Sequence, residues 1–291
     1  MRFALNDDQL AFRDAVRDLL ANEPNDKRAT WDALVDMGVI SVLVPEGDGG
    51  LGLDEVTLVP VLEQTGYAAL AFPVVETAMV AAPLGLADAG AVVALADGQL
   101  VAWADRANVV LGCDGREIPL DLLSPVEAVD PSRPVHRLGR PAPPADDDVF
   151  DRAALGTAAQ LVGLGQAMLD LTVGYVKERR QFGVPVGSFQ AVKHPLANGL
   201  KELSFARPAV YRAAYSVATA DPRATRDVSM AKAMASDAAS FVARVALQCH
   251  GAIGYTVEYD LHVWLKRTWT LSRAWGDSSW HRDRVARLLG L

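Results

Sequence analysis

The chain has 291 residues, of which 51% are hydrophobic, enough for a sizeable core arranged as two domains or as one domain with an insert. Its formal net charge of −8 argues against a nucleic-acid or anionic-membrane surface, and no apolar run reaches the ~18–20 residues of a transmembrane helix. Cys113 and Cys249, its two cysteines, stand far apart without CxxC or Cys/His ligand spacing, which excludes a disulfide framework and a zinc site.

The opening run from Met1 to Asp8 turns acidic within a few residues and lacks the apolar region of a signal peptide, which predicts a cytoplasmic protein. Residues 6–21 then have the pattern of an amphipathic helix. Asn6 and Gln9 stand at capping-box spacing, and Leu5 and Leu10 are placed to staple across the cap. Phe12, Val16, Leu19 and Leu20 recur at helical spacing. A second short helix is predicted over residues 31–37, stopped by Gly38. The Gly-rich run 42–52 lacks the Lys-Ser/Thr of a phosphate-binding loop and follows no βαβ pattern, so it reads as a turn. Residues 54–66 and 74–86 give two more apolar helices. Residues 1–95 are therefore predicted to form an N-terminal helical domain.

The texture changes at Ala96. Short β-like runs occur at 100–103, 108–111 and 126–129, with Asp114-Gly115 as a turn pair. Pro131, Pro134, Pro141, Pro143 and Pro144 make the end of the segment a linker. Residues 96–148 thus predict a reduced β domain, too short for a large barrel.

From Phe150 the pattern is helical again. Leu155, Ala158, Ala159, Val162, Leu169, Val173 and Val176 mark one stripe, and Gly156, Gly163 and Gly165 allow close helix approach. Val192, Leu196, Leu200 and Leu203 begin the next helix. Met230, Met234, Ala238, Phe241 and Val245 mark a third, which runs into Gln248-Cys249-His250-Gly251-Ala252-Ile253-Gly254-Tyr255. The stripes within 155–176 and 228–245 read as core. A last pair covers 259–273 and 278–289, with Asp277 as a cap. Residues 149–291 are predicted to be a C-terminal antiparallel helical bundle, so the fold class is mainly α with a small β insert.

One corner of that bundle carries chemistry. Residues 178–194 join two long helices: cations at Lys177, Arg179 and Arg180 oppose the macrodipole of the first, Gly183 and Pro185 forbid its continuation, and Ser188 is placed to cap the second. Two arginines, an amide (Gln181) and a phenyl ring (Phe182) are presented together. Arginine forks match phosphate and aromatic faces accept a flat ring, so the set suits a planar phosphorylated ligand. A helical hairpin with a solvated arginine pair is the plain alternative.

Arg179-Arg180-Gln181-Phe182-Gly183 with Phe189-Gln190, followed by Gln248-Cys249-His250-Gly251-Ala252-Ile253-Gly254-Tyr255, resembles the acyl-CoA dehydrogenase family. The opening helix and Val44-Pro45-Glu46 with Gly49-Gly50-Leu51-Gly52 look like that family's N-terminal domain, so the resemblance covers nearly the whole chain. It implies FAD as cofactor, an acyl-CoA as substrate, and oxidation to the 2,3-enoyl-CoA, with a carboxylate taking the α-proton and flavin N5 the hydride. It also implies roles for residues serving an FAD held mainly by a neighbouring subunit. Arg179 is placed on the pyrophosphate and Gln181 and Phe182 flank the adenosine side. Gln190 lies where the next helix reaches the site, and Gln248 with the backbone at Gly251 and Ala252 forms a second clamp.

The departures are informative. The β insert is about half the family's usual length and carries neither of its flavin-covering strand motifs. The family's glutamate base falls where this chain has Trp275, and its alternative position falls on Ala153. Neither side chain takes a proton, so no catalytic residue is assigned. Asp277 and Asp151 each lie two residues away, and a two-residue shift turns a side chain about 200° around a helix. Both also have a structural explanation as acids at helix starts. The chain therefore resembles the truncated subunits of actinobacterial heteromeric (α2β2) acyl-CoA dehydrogenases, which often act on steroid side-chain thioesters. That implies a partner subunit carrying the glutamate and most of the acyl-CoA, with an electron-transfer flavoprotein as acceptor. A homomeric enzyme using Asp277 or Asp151, and a scaffold or acyl-CoA-binding subunit without flavin, are the alternatives.

Overall fold

Asn6 opens α1 (Asp7–Ala21) with both arms of the expected capping box: its Oδ1 accepts from the Gln9 amide at 2.8 Å, and its own amide donates to Gln9 Oε1 at 3.0 Å. The structure, a computed structural model, describes residues 4–22, 27–86 and 90–291; Met1, Arg2 and Phe3 of the opening run lie outside them. The second helix, α2 (Lys27–Asp36), starts four residues before the predicted position. Residues 42–52 form turns around a short 3₁₀ turn at Glu46–Asp48, as expected. Asp54 caps α3 (Glu55–Tyr67) by accepting from the Thr57 amide. The apolar helix predicted over 74–86 is shorter and wider: a π-type helix covers Val75–Ala81, and the chain then turns. Pro83 has no amide to continue a helix, and Gly85 takes a positive φ of 62°.

Five strands come next: β1 (Val93–Asp97), β2 (Leu100–Ala102), β3 (Val109–Leu111), β4 (Leu123–Val126) and β5 (Val135–Leu138). They lie in the order β3-β1-β2-β5-β4, parallel between β1 and β3 and antiparallel elsewhere. Two strands were not expected. β1 straddles the expected boundary at residue 95 between the helical and β segments, where no element was read, and β5 sits in the proline-rich run that reads as a linker. Pro134 and Pro141 flank β5 without interrupting it, so every residue that must donate to the ladder keeps its amide. The run at 126–129 is strand only at Val126. Register sets the faces. Asp97, Leu100 and Arg137 pair on one side, while Ala96, Val101 and His136 pair on the other. The second side builds a small core with Ala94, Val110 and Leu138.

The bundle comprises α4 (Asp147–Glu178), α5 (Gln190–Ala218), α6 (Ala224–His250), α7 (Leu261–Leu271) and α8 (Ser278–Leu288), with α4, α5 and α6 packed on one another. Helices α3 and α4 touch backbone to backbone: a Cβ on Gly163 would lie 1.9 Å from the Glu63 carbonyl oxygen. Asp277 caps α8 by accepting from the Trp280 amide at 2.8 Å, as expected. Ser188 does not cap α5. Its hydroxyl donates to the Pro185 carbonyl, and Phe189 holds the cap position without a side-chain bond. The stripe expected to be core on α6 is also corrected. Val228, Ala231, Ala235, Ala239, Val242 and Ala246 are buried, whereas Met230 and Met234 are exposed. The alanine face lets neighbouring helices approach, and that leaves the longer side chains outside. Among the described residues, no helix is long and apolar enough to cross a membrane.

One buried ion pair fastens the sheet layer to the bundle. Arg267 on α7 donates through Nε to Asp130 (2.5 Å), through Nη1 to the Leu70 carbonyl (2.7 Å) and through Nη2 to Ser132 Oγ (2.9 Å). Its guanidinium lies 5.0 Å from the Trp103 ring centroid.

Candidate functional site

The corner at residues 178–194 folds as a miniature hairpin. Helix α4 stops at Arg179, β6 (Arg180–Gln181) pairs antiparallel with β7 (Val184–Pro185), and Phe182-Gly183 form the two-residue loop. Both loop residues have positive φ, 52° for Phe182 and 80° for Gly183, the requirement of a type I′ turn. Glycine meets it freely. A phenylalanine there costs about 1–2 kcal/mol, yet its ring is 93% exposed, meeting Phe189 edge-on at 6.3 Å. The strain has no compensating burial within this chain, which points to a role against something outside it.

The opposite wall is the end of α6. Phe241, Arg244, Val245 and Gln248 recur on one helical face. The helix stops at Gly251, whose φ of 62° and ψ of −137° suit only glycine. Between hairpin and helix end lies a cavity of about 880 Å³. Arg179, Gln181, Phe182, Gln248, Gly251 and Ala252 all line it. Gln190 does not: it opens α5 beside Phe189 and stands outside the lining.

The cavity also gathers residues that the motifs did not single out: Tyr175, Asn198, Arg244 and His250. The His250 ring stacks on Tyr175 at 4.3 Å and tilts against Tyr259 at 4.8 Å, joining α4 to α6. Its Nδ1 lies 2.8 Å from the Ala246 carbonyl. A carbonyl only accepts, so Nδ1 carries the proton. Nε2 is then a buried acceptor with no partner among the described residues. Burial, opposed by the Ala246 bond, holds the imidazole below its ordinary pKa and keeps it neutral. Arg244 was findable, since it lies one helical turn before Gln248.

Electrostatics favour an anion. No carboxylate lines the cavity. Arg179 and Arg244 make no ion pair or side-chain hydrogen bond among the described residues. Two free guanidinium groups, three side-chain amides and several aromatic faces fit a nucleoside diphosphate.

The place expected for a base differs. Trp275 is 3% exposed with a φ of 55°, and its ring meets Phe150 edge-on. Its amide donates to Asp97 Oδ2 at 3.2 Å, and its carbonyl accepts from His281 Nε2 at 2.8 Å. Fully buried Lys232 donates to the carbonyls of Gly276 (2.9 Å) and Ser272 (3.4 Å) and to Ser236 Oγ. Ala153 is fully buried. Asp277 is committed to its cap, and Asp151 to Arg284 at 2.5 Å. Burial pushes the Asp151 carboxyl up, against the hydrogen bonds of Thr225 and Arg284. Neither aspartate lines a cavity with Trp275.

The lysine under this loop gives a pH signature. Burial drives Lys232 down to about 7, against the pull of Asp277 and Asp97. Below pH 7 it is charged both folded and unfolded. Between pH 7 and its ordinary value near 10.5, the unfolded chain binds the extra proton, so stability rises with pH across that window. From pH 7 to 9 the gain is about 2–3 kcal/mol, and Lys232→Met removes it. Urea midpoints at both pH values check this; an unchanged rise in the variant assigns it elsewhere.

Comparison with known proteins agrees with this architecture. The acyl-CoA dehydrogenase N-terminal domain model matches residues 6–91, and the acyl-CoA dehydrogenase C-terminal domain model matches residues 146–290. Acyl-CoA dehydrogenase IpdE2 of Mycolicibacterium smegmatis is 32% identical over 280 residues, covering 88% of this chain and 85% of that protein. Among solved structures, butyryl-CoA dehydrogenase from Megasphaera elsdenii superposes with a TM-score of 0.85 at 18% identity, over 100% of both chains. A chain of the ChsE4-ChsE5 complex from Mycobacterium tuberculosis superposes with a TM-score of 0.84 at 20% identity, over 100% of this chain and 99% of that one.

Proposed function

The chain belongs to the acyl-CoA dehydrogenase family, and on that premise we propose that it is the non-catalytic subunit of a heteromeric, FAD-dependent acyl-CoA dehydrogenase. Members of the family bind FAD. In this reading, Arg179 and Arg244 take the diphosphate, helped by the amides of Gln181 and Gln248 and the backbone at Gly251 and Ala252. Phe182, strained and exposed, lies along the adenosine side at the subunit boundary. The flavin supplies the hydride acceptor, and its ring, the glutamate base and most of the acyl-CoA belong to the partner. Steroid side-chain thioesters are the proposed substrates and an electron-transfer flavoprotein the proposed acceptor.

The observation that carries the proposal is Trp275. Its indole is buried, its backbone is held by Asp97 and His281 beside the Lys232-anchored Gly276, and it stands where the family resemblance places the proton acceptor. General-base catalysis contributes on the order of 10²–10⁴-fold and needs its base within hydrogen-bond reach. The clamp, by contrast, keeps its cations free and faces outward.

The test is spectroscopic. The chain expressed alone is expected to purify without flavin absorbance, and co-expressed with a partner of the same family to purify as a yellow complex that an acyl-CoA bleaches. Stoichiometric FAD on the isolated chain, reduced by an acyl-CoA, would sink the proposal.

A further inference from the structure

Exposed groups stand around the clamp cavity without lining it. On one side are Lys177 in the last turn of α4, Arg180 on the hairpin and Lys193 in the first turn of α5. None of the three lines the cavity, and none forms an ion pair among the described residues. Arg180 donates only to the Gly183 carbonyl of its own hairpin, at 3.4 Å. A ligand held between Arg179 and Arg244 leaves these three cations facing solvent.

The other side carries an apolar tip. Gly251 and Ala252 line the cavity, and the 3₁₀ turn that they open ends at Tyr255. Tyr255 is 77% exposed and Val257 74%. Their backbone is fixed. The Thr256 amide and hydroxyl both donate to the Ile253 carbonyl, at 3.2 and 3.0 Å, and a Cβ on Gly254 would lie 3.0 Å from His250 Cβ. A well-held loop thus presents two apolar side chains to water, as the hairpin presents Phe182. Charge is also set locally. Residues 177–194 and 244–260 hold five Lys and Arg against three Asp and Glu, in a chain of net charge −8.

We propose that this rim is the surface on which the flavin-bearing partner subunit docks, and that charge selects that partner. The partner presents carboxylates to Lys177, Arg180 and Lys193, and an apolar recess to Tyr255 and Val257. The inference rests on the heteromeric reading above and adds how the chain takes a different subunit rather than a second copy of itself. Two-fold pairing of this rim with itself would set the same cations opposite one another, and like charges across an interface are repelled. The two sets of residues divide the work. Unpaired surface cations steer the encounter and set its rate, whereas buried apolar anchors set how long the complex lasts.

Surface plasmon resonance between the full-length chain and the partner that gives the yellow complex tests this. The association rate constant is expected to fall about ten-fold between about 50 and 500 mM salt. Lys177→Glu/Arg180→Glu/Lys193→Glu should lower it by about ten-fold or more at the lower salt and remove the salt effect, with little change in dissociation. Tyr255→Ser/Val257→Ser should do the reverse, raising the dissociation rate about ten-fold and leaving association in place. All five side chains are exposed, so both variants should melt with the native chain. An association rate that neither salt nor the charge reversal alters overturns the proposal. So does self-association of the isolated chain that the same variants abolish, because a second copy then occupies the rim. In both cases a flavin-bearing complex leaves the heteromeric reading standing; its absence with the unmutated chain removes that reading and this inference together.

Discussion

Replacing Arg179 by alanine is expected to strip flavin from the assembled complex while leaving the chain folded. A hydrogen bond to a charged group contributes about 1.5–3 kcal/mol, so losing one bidentate phosphate contact weakens retention by about ten- to a hundred-fold. The cost falls on binding alone because Arg179 is exposed and pairs with nothing among the described residues of its own chain. Surface substitutions of that kind usually change stability by no more than about 0.5 kcal/mol. Arg179→Lys should give an intermediate loss, since the ammonium keeps the charge but not the fork. The flavin-to-protein absorbance ratio after dialysis, together with the melting temperature, separates the two effects. Unchanged flavin content in Arg179→Ala would favour a scaffold without flavin.

Arg267→Ala should be the most destabilising of these changes, by about 3–5 kcal/mol. Arg267 and Asp130 are each 2% exposed. Removing the guanidinium leaves a buried carboxylate without its cation, and it also takes the donor from the Leu70 carbonyl and from Ser132 Oγ. In the native chain, burial pushes the Asp130 carboxyl up, but Arg267 and the two Ser132 hydrogen bonds outweigh it and hold the group below its ordinary range. Without Arg267 its pKa rises, so the deficit should shrink as pH falls toward 5 and Asp130 takes a proton. Arg267→Met with Asp130→Leu should recover much of the loss, because no charge is then stranded. Denaturant titrations of the single and double variants at pH 7 and 5 measure all of this. Equal losses in both variants would mean that packing, not the ion pair, holds the layers together. Trp269, Thr270 and Arg273 share α7 with Arg267 or directly follow it, so the cavity that they line between sheet and bundle should loosen in parallel.

Several features were legible in the residues themselves because their causes are local. The capping box at Asn6 and Gln9 and the cap at Asp277 each depend on a few neighbouring residues and on backbone chemistry that those residue types impose. The hairpin corner was legible in outline. Six of the seven expected clamp residues line one cavity because two helix ends carry them as short blocks. Gln190, the first residue of α5, stands outside that lining.

What remained was decided by partners distant in the chain. Strand β5 forms because β2 and β4 supply ladders on both sides, which overrides the proline-rich composition around it. An alanine-rich helix has little hydrophobic asymmetry, so the buried face of α6 comes from where α4 and α5 lie, and Met230 and Met234 end up outside. Arg267 and Asp130 are 137 residues apart, and neither residue type foretells burial. The sequence by itself determined the helical blocks, because periodicity and capping act over a few residues, while the expected base position at 275 and the clamp residues at two helix ends came from the family resemblance. Only the tertiary structure decided which of those residues share a cavity, that the loop at Trp275 rests on a buried lysine, and that exposed cations and an apolar loop tip stand around the clamp without lining it, because burial and pairing are properties of the packed whole.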